Sequence, residues 1–336
     1  MVVRLVVRRL VALIFVLIAL SAITFTLSHV VPSDPARMIA GPKASPQTVE
    51  LVREEYGLDK PLLTQYVHYV TGIVRLDFGK SLSSRRPVSD DLREYLPATI
   101  ELTLYAVIFA VAVGIPLGVI SAVRRSSAVD AFGRVVSVLG LSIPSFWLAL
   151  MLQFFLFARL GLLPDGQRLP VGVDPPTTIT HLYTVDALLT GNFSVWWTAV
   201  RHLLMPAFVL GFGGLAVITR MARAGMLEVL GQDFVRTARA KGLAPRTVVI
   251  RHALKNALLP AITVIGLQIG LLLGGAVLVE IVFSWPGIGR YAFQAIQTMD
   301  QNAVISVTPV IGAGYVLMNM FVDIAYVLVD PRLRTK

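Results

Sequence analysis

Long apolar stretches bounded by charged residues recur six times along the chain. A helix needs about 20 mostly apolar residues to cross the hydrocarbon core of a bilayer, and every stretch is long enough. Strands of a membrane barrel would show short segments of alternating polarity instead. The pattern therefore predicts an all-α integral membrane protein with six transmembrane helices. The predicted spans are residues 10–33, 102–123, 135–158, 202–219, 256–279 and 301–322.

The composition of the 336 residues supports this interpretation. Only 15% of them are Asp, Glu, Lys or Arg, against about 25% in soluble proteins, and the mean hydropathy is +0.73. Such a chain cannot cover a water-facing surface with polar groups, which excludes an ordinary soluble enzyme and intrinsic disorder. Because the chain contains no Cys, disulfides, thiolate nucleophiles and Cys-based metal sites are excluded as well.

Basic residues fall in alternate loops, and this asymmetry indicates the direction of the helices. Loops on the cytoplasmic side of a membrane carry an excess of Lys and Arg. The two terminal segments and the loops after spans two and four are basic, so both termini are predicted to be cytoplasmic. The net charge of +10 then reflects orientation in the membrane, not a nucleic-acid surface. A signal peptide is the alternative for the first span, but its apolar run exceeds the usual length of about 7–15 residues.

The first outer segment, residues 34–95, is too long for a simple connector. Within it Leu62, Tyr66, Tyr69 and Ile73 recur at helical spacing, which predicts an amphipathic helix. Two interpretations stay open for this segment. It is either a small cap at the membrane interface or outer mouth, or a docking surface for another protein.

The second outer loop, residues 161–200, contains an uncharged stretch over 187–200 that is too short and too polar to span. Trp196 and Trp197 in this stretch are typical of interface anchors.

The long basic loop over residues 221–255 has the most distinctive pattern. Residues 226–235 and 245–254 have helical spacing, and Gly242 lies between them. Pro245 suits an early position of the second helix. Positive-inside charge explains the bases, but it does not explain two helices around a central glycine.

Motifs for bound nucleotide and for hydrolytic chemistry are missing from the sequence. It contains no G-x-x-x-x-G-K-[ST] phosphate loop, no H-E-x-x-H and no G-x-S-x-G. The five histidines are scattered without metal-ligand spacing. We therefore expect a non-catalytic chain without a metal site.

Small and ionisable residues in the spans point to packing and to a transport path. Gly266, Gly270 and Gly274 lie at steps that let helices touch closely in lipid. Charge at membrane depth is unfavourable and often functional. The candidates for the translocation path are Glu280, Asp323 and Gln268.

The basic loop resembles the cytoplasmic EAA loop of importer-type ATP-binding-cassette permeases. In that motif Glu-Ala-Ala precedes three residues, a Gly, nine residues and Ile-x-Leu-Pro. Gly242 and the nine residues after it fit, whereas Arg236, Thr237 and Lys255 depart from the motif in a way typical of the peptide-permease branch. Other matching stretches are Pro32-Ser33-Asp34-Pro35, Gly57-Leu58-Asp59-Lys60-Pro61, Arg86-Pro87-Val88, Ala98-Thr99-Ile100-Glu101-Leu102, Ser142-Ile143-Pro144-Ser145-Phe146-Trp147, residues 283–289 and Asp330-Pro331-Arg332.

With these stretches the chain resembles the first, or B-type, permease subunit of a dipeptide or oligopeptide importer of the bacterial cytoplasmic membrane. The resemblance implies an importer-type permease fold, a homologous second permease, two cytoplasmic ATPase subunits and an extracytoplasmic solute-binding protein. It also implies that the partner subunits bind ATP and Mg, and that this chain holds no cofactor. The residues implied to couple to an ATPase are Arg236, Thr237, Ala238, Arg239, Ala240, Lys241, Gly242, Leu243 and His252.

The predicted organisation follows from these features. An N-terminal transmembrane helix occupies residues 1–33, and an extracytoplasmic insertion occupies 34–95. A five-helix permease core over 96–331 contains the coupling loop 221–255 and precedes a cytoplasmic tail over 332–336.

Other functions remain as alternatives. The same architecture could import nickel complexes or glutathione, since permeases for these solutes share the motifs. A self-contained secondary carrier would need intramembrane ion-coupling groups and an inverted repeat, which the sequence does not show clearly. A scaffold without transport would leave the coupling-like loop unexplained.

Overall fold

The computed structural model describes residues 2–30, 36–37, 44–55 and 57–329. Their regular structure is helical, with one isolated β-bridge between Lys80 and Pro87, so the all-α prediction is confirmed. The helices are α1 (Val2–Val30), α2 (Pro46–Glu55), α3 (Leu62–Arg75), α4 (Val88–Val123), α5 (Ala128–Ser142), α6 (Ser145–Arg159), α7 (Tyr183–Leu189), α8 (Phe193–Leu230), α9 (Asp233–Ala240), α10 (Pro245–Ala257), α11 (Leu259–Val282), α12 (Ile288–Gln297) and α13 (Gln301–Val329).

Within the described ranges, four helices are long and apolar enough to cross a membrane on their own, and the number rises to six if each of two bent pairs is one span. The four are found in α1, α4, α8 and α13, and the bent pairs are α5 with α6 and α10 with α11. These segments correspond in order to the six predicted spans.

The third predicted span is divided into two helices at Pro144. The helix direction bends by 108° between α5 and α6. Ile143 between them is extended, with φ −84° and ψ 122°, because the ring of Pro144 disfavours helical geometry in the preceding residue. The apolar run is therefore long enough to span, but the proline divides it into two rods.

The bounds of α8 also differ from the prediction. The helix begins at Phe193, so Trp196 and Trp197 belong to its first turns and not to the preceding loop. At its other end α8 stops at Leu230 and α9 begins at Asp233. The prediction of one helix over residues 226–235 was therefore wrong. Gly231 is a weak helix former, and Asp233 suits the first turn of a new helix.

Contacts divide the chain into two compact units, one containing residues 98–286 and the other residues 3–97 with 287–317. In the first unit, α8 is the most buried long helix and packs closely on α4 and α5. A Cβ on Gly118 would lie 2.5 Å from the carbonyl oxygen of Thr219, and one on Gly140 would lie 2.6 Å from Cβ of Ala216. Glycines thus allow the close helix contact on which packing in lipid depends.

In the second unit, two buried carboxylates organise a serine-rich turn. Asp300 accepts hydrogen bonds from the hydroxyls of Ser81 and Ser83, at 2.5 and 3.0 Å. Asp91 accepts from the hydroxyls of Ser84 and Tyr291, at 2.7 and 3.0 Å. Because buried carboxylates need hydrogen-bond donors, these bonds hold the turn against the starts of α4, α12 and α13.

Candidate coupling element and path residues

Helix α9 is short and has two different sides. Val235 and Ala238 are buried and join a hydrophobic cluster with residues of α8 and α10, among them Met226, Val229 and Val248. Spacing of three residues places Val235 and Ala238 on the same face of the helix. The remaining residues of α9 are exposed, and they are Asp233, Phe234, Arg236, Thr237, Arg239 and Ala240.

The end of α9 is a Schellman motif centred on Gly242. The amide of Leu243 donates to the carbonyl of Ala238 at 3.4 Å, and the amide of Gly242 donates to that of Arg239 at 2.9 Å. Gly242 has φ +74°, a left-handed conformation that glycine adopts without strain. The turn predicted at Gly242 is therefore confirmed.

Helix α10 follows this turn and packs against the end of α8. Pro245 stands in its first turn, as predicted, and Val248–Ala253 is π-helical. A Cβ on Gly225 of α8 would lie 2.5 Å from the carbonyl oxygen of Ala257 in α10. The buried residues of α9 thus rest on two helices that are themselves in close contact.

A cavity of about 530 Å³ lies beside this contact. Its lining mixes polar side chains, such as Glu228, Gln232 and Asn256, with apolar ones, including Phe234 at the exposed side of α9. The hydrophobic cluster that holds α9 therefore has an open cavity beside it.

The structure brings eight of the nine predicted coupling residues together. Arg236 to Leu243 form α9 and its terminal turn, whereas His252 is half-buried in the π-helical part of α10. Arg236 pairs with Asp233 at 3.3 Å, but both side chains are largely exposed, and such pairs contribute little to stability. The cationic groups of α9 therefore remain available to a partner.

Two of the predicted path residues, Glu280 and Gln268, are not brought together. Glu280 is fully buried near the end of α11, where the hydroxyl of Thr99 donates to its Oε1 at 2.5 Å. Gln268 is half-buried on the same helix, and its separation from Glu280 by twelve positions corresponds to about 18 Å along the axis. The side chain of Asp323 lies outside the described residues.

A buried polar cluster in the first unit was missed by sequence reasoning. Nη2 of Arg168 donates to Oε2 of Glu101 at 2.6 Å and to the carbonyl of His181 at 2.9 Å. The other carboxylate oxygen accepts from the amide and hydroxyl of Thr184, at 2.7 and 2.6 Å, and the guanidinium lies 3.4 Å from the ring centre of Tyr183. The one signal in the sequence was that Arg168 is the only Lys or Arg between residues 161 and 200.

A second missed pair joins α5 to α8. Arg223 donates through Nε and Nη2 to the two carboxylate oxygens of Asp130, at 2.7 and 3.1 Å. Such two-pronged pairing fixes geometry as well as charge. In the sequence both residues stand among the charges of the basic loops after predicted spans two and four. Within the described ranges, no three His, Asp or Glu side chains are grouped as metal ligands would be.

Comparison with known proteins places these features in a family. Residues 114–335 match the family described as "Binding-protein-dependent transport system inner membrane component", and residues 2–103 match the N-terminal part of such membrane components.

The relatives are similar over almost their whole length. The chain is 44% identical to the probable D,D-dipeptide transport system permease protein DdpB of Escherichia coli (strain K12), over 96% of this chain and 94% of that protein. It is also 44% identical to the dipeptide transport system permease protein DppB of Alkalihalophilus pseudofirmus, over 97% and 98%. Identity to the glutathione transport system permease protein GsiC of E. coli (strain K12) is 37%, over 98% and 99%. The family implies partnership with an ATPase and a substrate-binding protein. The chain therefore belongs to the inner-membrane permease components of binding-protein-dependent ATP-binding-cassette importers.

Proposed function

We propose that the chain is the permease subunit that forms half of the translocation path of a dipeptide importer. Relatives named for dipeptide transport are 44% identical, whereas the relative named for glutathione transport is 37% identical. The greater similarity to the dipeptide permeases favours dipeptides or oligopeptides as the solute. Glutathione is the second candidate on the same comparison.

The exposed side of α9 is the surface that contacts an ATPase in this proposal. The observation that carries it is the two-sided character of α9. Val235 and Ala238 anchor the helix to α8 and α10, while Phe234, Arg236 and Arg239 face outward. Displacement of the exposed side by a partner would therefore move the helices on which the buried side rests.

A second permease subunit packs against α11 in the proposed importer. One face of α11 is exposed, and it is formed by Leu267, Leu271, Gly274 and Leu278. A Cβ on Gly274 would meet nothing within 4 Å, so this face has room for another helix. Small residues at such a face permit close association in lipid.

The remaining parts of the proposal follow from the division of labour in the importer. ATP and Mg are bound by two partner ATPases, and this chain has no catalytic role or cofactor. Both termini and α9 lie on the cytoplasmic side, and the segment over residues 34–95 lies on the side of the binding protein. Gln268, Glu280 and Asp323 stay candidates for the path.

The decisive experiment separates assembly from transport. We expect the double variant Arg236→Glu/Arg239→Glu to reach the membrane normally, to lose co-purification of the ATPase, and to lose at least about tenfold in labelled-dipeptide uptake, because the change reverses charge at the contact. The matched control is Arg124→Glu/Arg125→Glu, two exposed arginines in the loop before α5. Normal ATPase binding and uptake in the α9 variant would refute the assigned contact.

The solute is tested by competition in the unmodified importer. Unlabelled dipeptides should displace a labelled dipeptide, whereas glutathione and nickel should compete weakly. Uptake of glutathione in preference to dipeptides would assign the second candidate instead.

A further inference from the structure

Helix α3 carries three parallel stripes of different chemistry. At 100° per residue, Tyr66, Tyr69 and Ile73 share one face. A second stripe, Leu63, Val67, Val70 and Val74, is apolar, and a third, Thr64, His68, Thr71 and Arg75, is polar. Each residue of the third stripe comes directly after a residue of the second stripe in the sequence. An ordinary surface helix has a single apolar side, so the second apolar stripe needs an explanation.

The tyrosine stripe packs on two membrane-spanning helices. The ring of Phe25 in α1 lies 5.3 Å from the ring of Tyr66 and 5.9 Å from that of Tyr69. The hydroxyl of Tyr66 lies 3.0 Å from that of Ser21, and the hydroxyl of Tyr69 donates to the carbonyl of Ile305 in α13 at 2.7 Å.

These contacts give the depth of α3 in the membrane. The apolar span in α1 ends at Leu27 and the span in α13 begins at Asn302. Ser21 is six residues inside the first end, about 9 Å at 1.5 Å per residue, and Ile305 is three residues inside the second, about 4.5 Å. Helices that lie in the membrane interface bury their apolar face by about 5–10 Å. The contacts therefore place α3 at interfacial depth.

Three of the four residues of the second apolar stripe are exposed within this chain, and Val70 is half-buried. The exposed fractions of Leu63, Val67 and Val74 are 75%, 54% and 78%. On α1, next to the Tyr66 contact, Phe15 and Ile18 are also exposed. The stripe thus continues the apolar surface that a spanning helix presents to lipid.

We propose that α3 lies in the membrane plane with Leu63, Val67, Val70 and Val74 inserted among the acyl chains of one leaflet. The leaflet is the one at which α1 ends and α13 begins. The polar stripe faces the headgroups and water, where His68 and Arg75 are well hydrated. The phospholipid surface, and not a soluble protein, is therefore the partner of this face. The inference does not depend on which solute the importer carries.

Adjacent residues on the two stripes provide matched pairs for a test. The chain has no native cysteine, so single-cysteine variants can carry a nitroxide label at one position of this chain. The pairs are Leu63→Cys with Thr64→Cys, Val67→Cys with His68→Cys, and Val74→Cys with Arg75→Cys. The complete importer is reconstituted in phosphatidylethanolamine and phosphatidylglycerol vesicles, and the unsubstituted importer corrects for labelling of partner subunits.

Collision with oxygen, which concentrates in lipid, and with a water-soluble nickel chelate then reports the surroundings of each label. We expect the apolar stripe to be reached severalfold better by oxygen than by nickel, and the polar stripe to show the reverse preference. Equal access of nickel to both stripes would place α3 in water and overturn the proposal. Protection of the apolar stripe from both reagents would show that another subunit covers it, which would also overturn the proposal. A failure of dipeptide uptake would leave this measurement unaffected.

Discussion

Arg168 and Glu101 form a buried ion pair with Nη2 and Oε2 at 2.6 Å, and both side chains are less than a tenth exposed. The pair ties the loop after α6 to α4, more than three turns inside that helix, across 67 positions of sequence. Thr184 satisfies the second oxygen of the same carboxylate. The loop is therefore held by charge as well as by packing.

Removing one partner of this pair should be strongly destabilising. We expect Arg168→Met to reduce the free energy of unfolding by about 3–5 kcal/mol, because the carboxylate of Glu101 would be left buried and uncompensated. The measurement is thermal unfolding of the detergent-solubilised protein. Arg93→Ala is the control, since its pair with Asp90 is exposed and should contribute under about 1 kcal/mol. Equal effects of the two variants would contradict the prediction.

Adding a side chain at Gly166 should separate the loop from the end of α11. The Cβ of an alanine would lie far inside van der Waals contact with the carbonyl oxygen of Phe283, which accepts the amide of Gln167 at 2.8 Å. Gly172→Ala is the matched control, because Gly172 also has positive φ but a Cβ there would meet nothing within 4 Å.

We expect Gly172→Ala to lower stability only by backbone strain of about 1–3 kcal/mol. Gly166→Ala should lower it by clearly more, as a larger fall in melting temperature. Equal melting temperatures of the two alanine variants would show that the tight contact with Phe283 does not contribute to stability.

The stability of the second loop should depend on pH through Asp186. Burial raises the pKa of this carboxyl, but hydrogen bonds from the hydroxyl and amide of Thr180 and from the amide of Ile179 outweigh it, so the pKa is lowered overall. A carboxyl with a lowered folded-state pKa stabilises the protein above its unfolded pKa, and that contribution disappears as the pH falls through the folded pKa.

Asp186→Asn should therefore be less stable than the unsubstituted protein near pH 7. The difference in melting temperature should shrink as the pH is lowered to about 3 and below. A difference that stays constant over this range would show that the ionised form is not the one stabilised.

A bulky residue on the open face of α11 should block assembly without damage to the chain itself. Gly274→Leu adds volume where this chain has no neighbouring atom, so the melting temperature of the isolated chain should change little. Co-purification of the second permease should fall severalfold if that subunit packs on this face. Gly314→Leu in α13, which also has nothing within 4 Å, is the control, and unimpaired assembly of the Gly274 variant would exclude this face.

The sequence predicted what depends on local periodicity. The spans follow from uninterrupted apolar runs, α3 follows from the spacing of Leu62, Tyr66, Tyr69 and Ile73, and the turn at Gly242 follows from glycine chemistry. These features need only neighbouring residues to be decided, so a single sequence contains the information.

Features that join distant segments could not be predicted in this way. Glu101 and Arg168 are each plausible as solvated charges, and only the fold shows that they are buried together. The break between α8 and α9 was missed because the apolar spacing continues through Gly231 and Gln232. The coupling residues were identified as a group from the motif, but the motif could not show that Val235 and Ala238 point into the protein while Arg236 and Arg239 point away.

The anchoring of α9 by just two side chains has an evolutionary consequence. Since Val235 and Ala238 hold the helix in place, the exposed residues of α9 contribute little to the stability of the fold and can change at little energetic expense. A related transporter could thereby acquire a different motor protein through a few substitutions on one short helix. Exchange of the outward-facing residues between two such transporters should transfer motor preference while leaving solute preference with the rest of the chain.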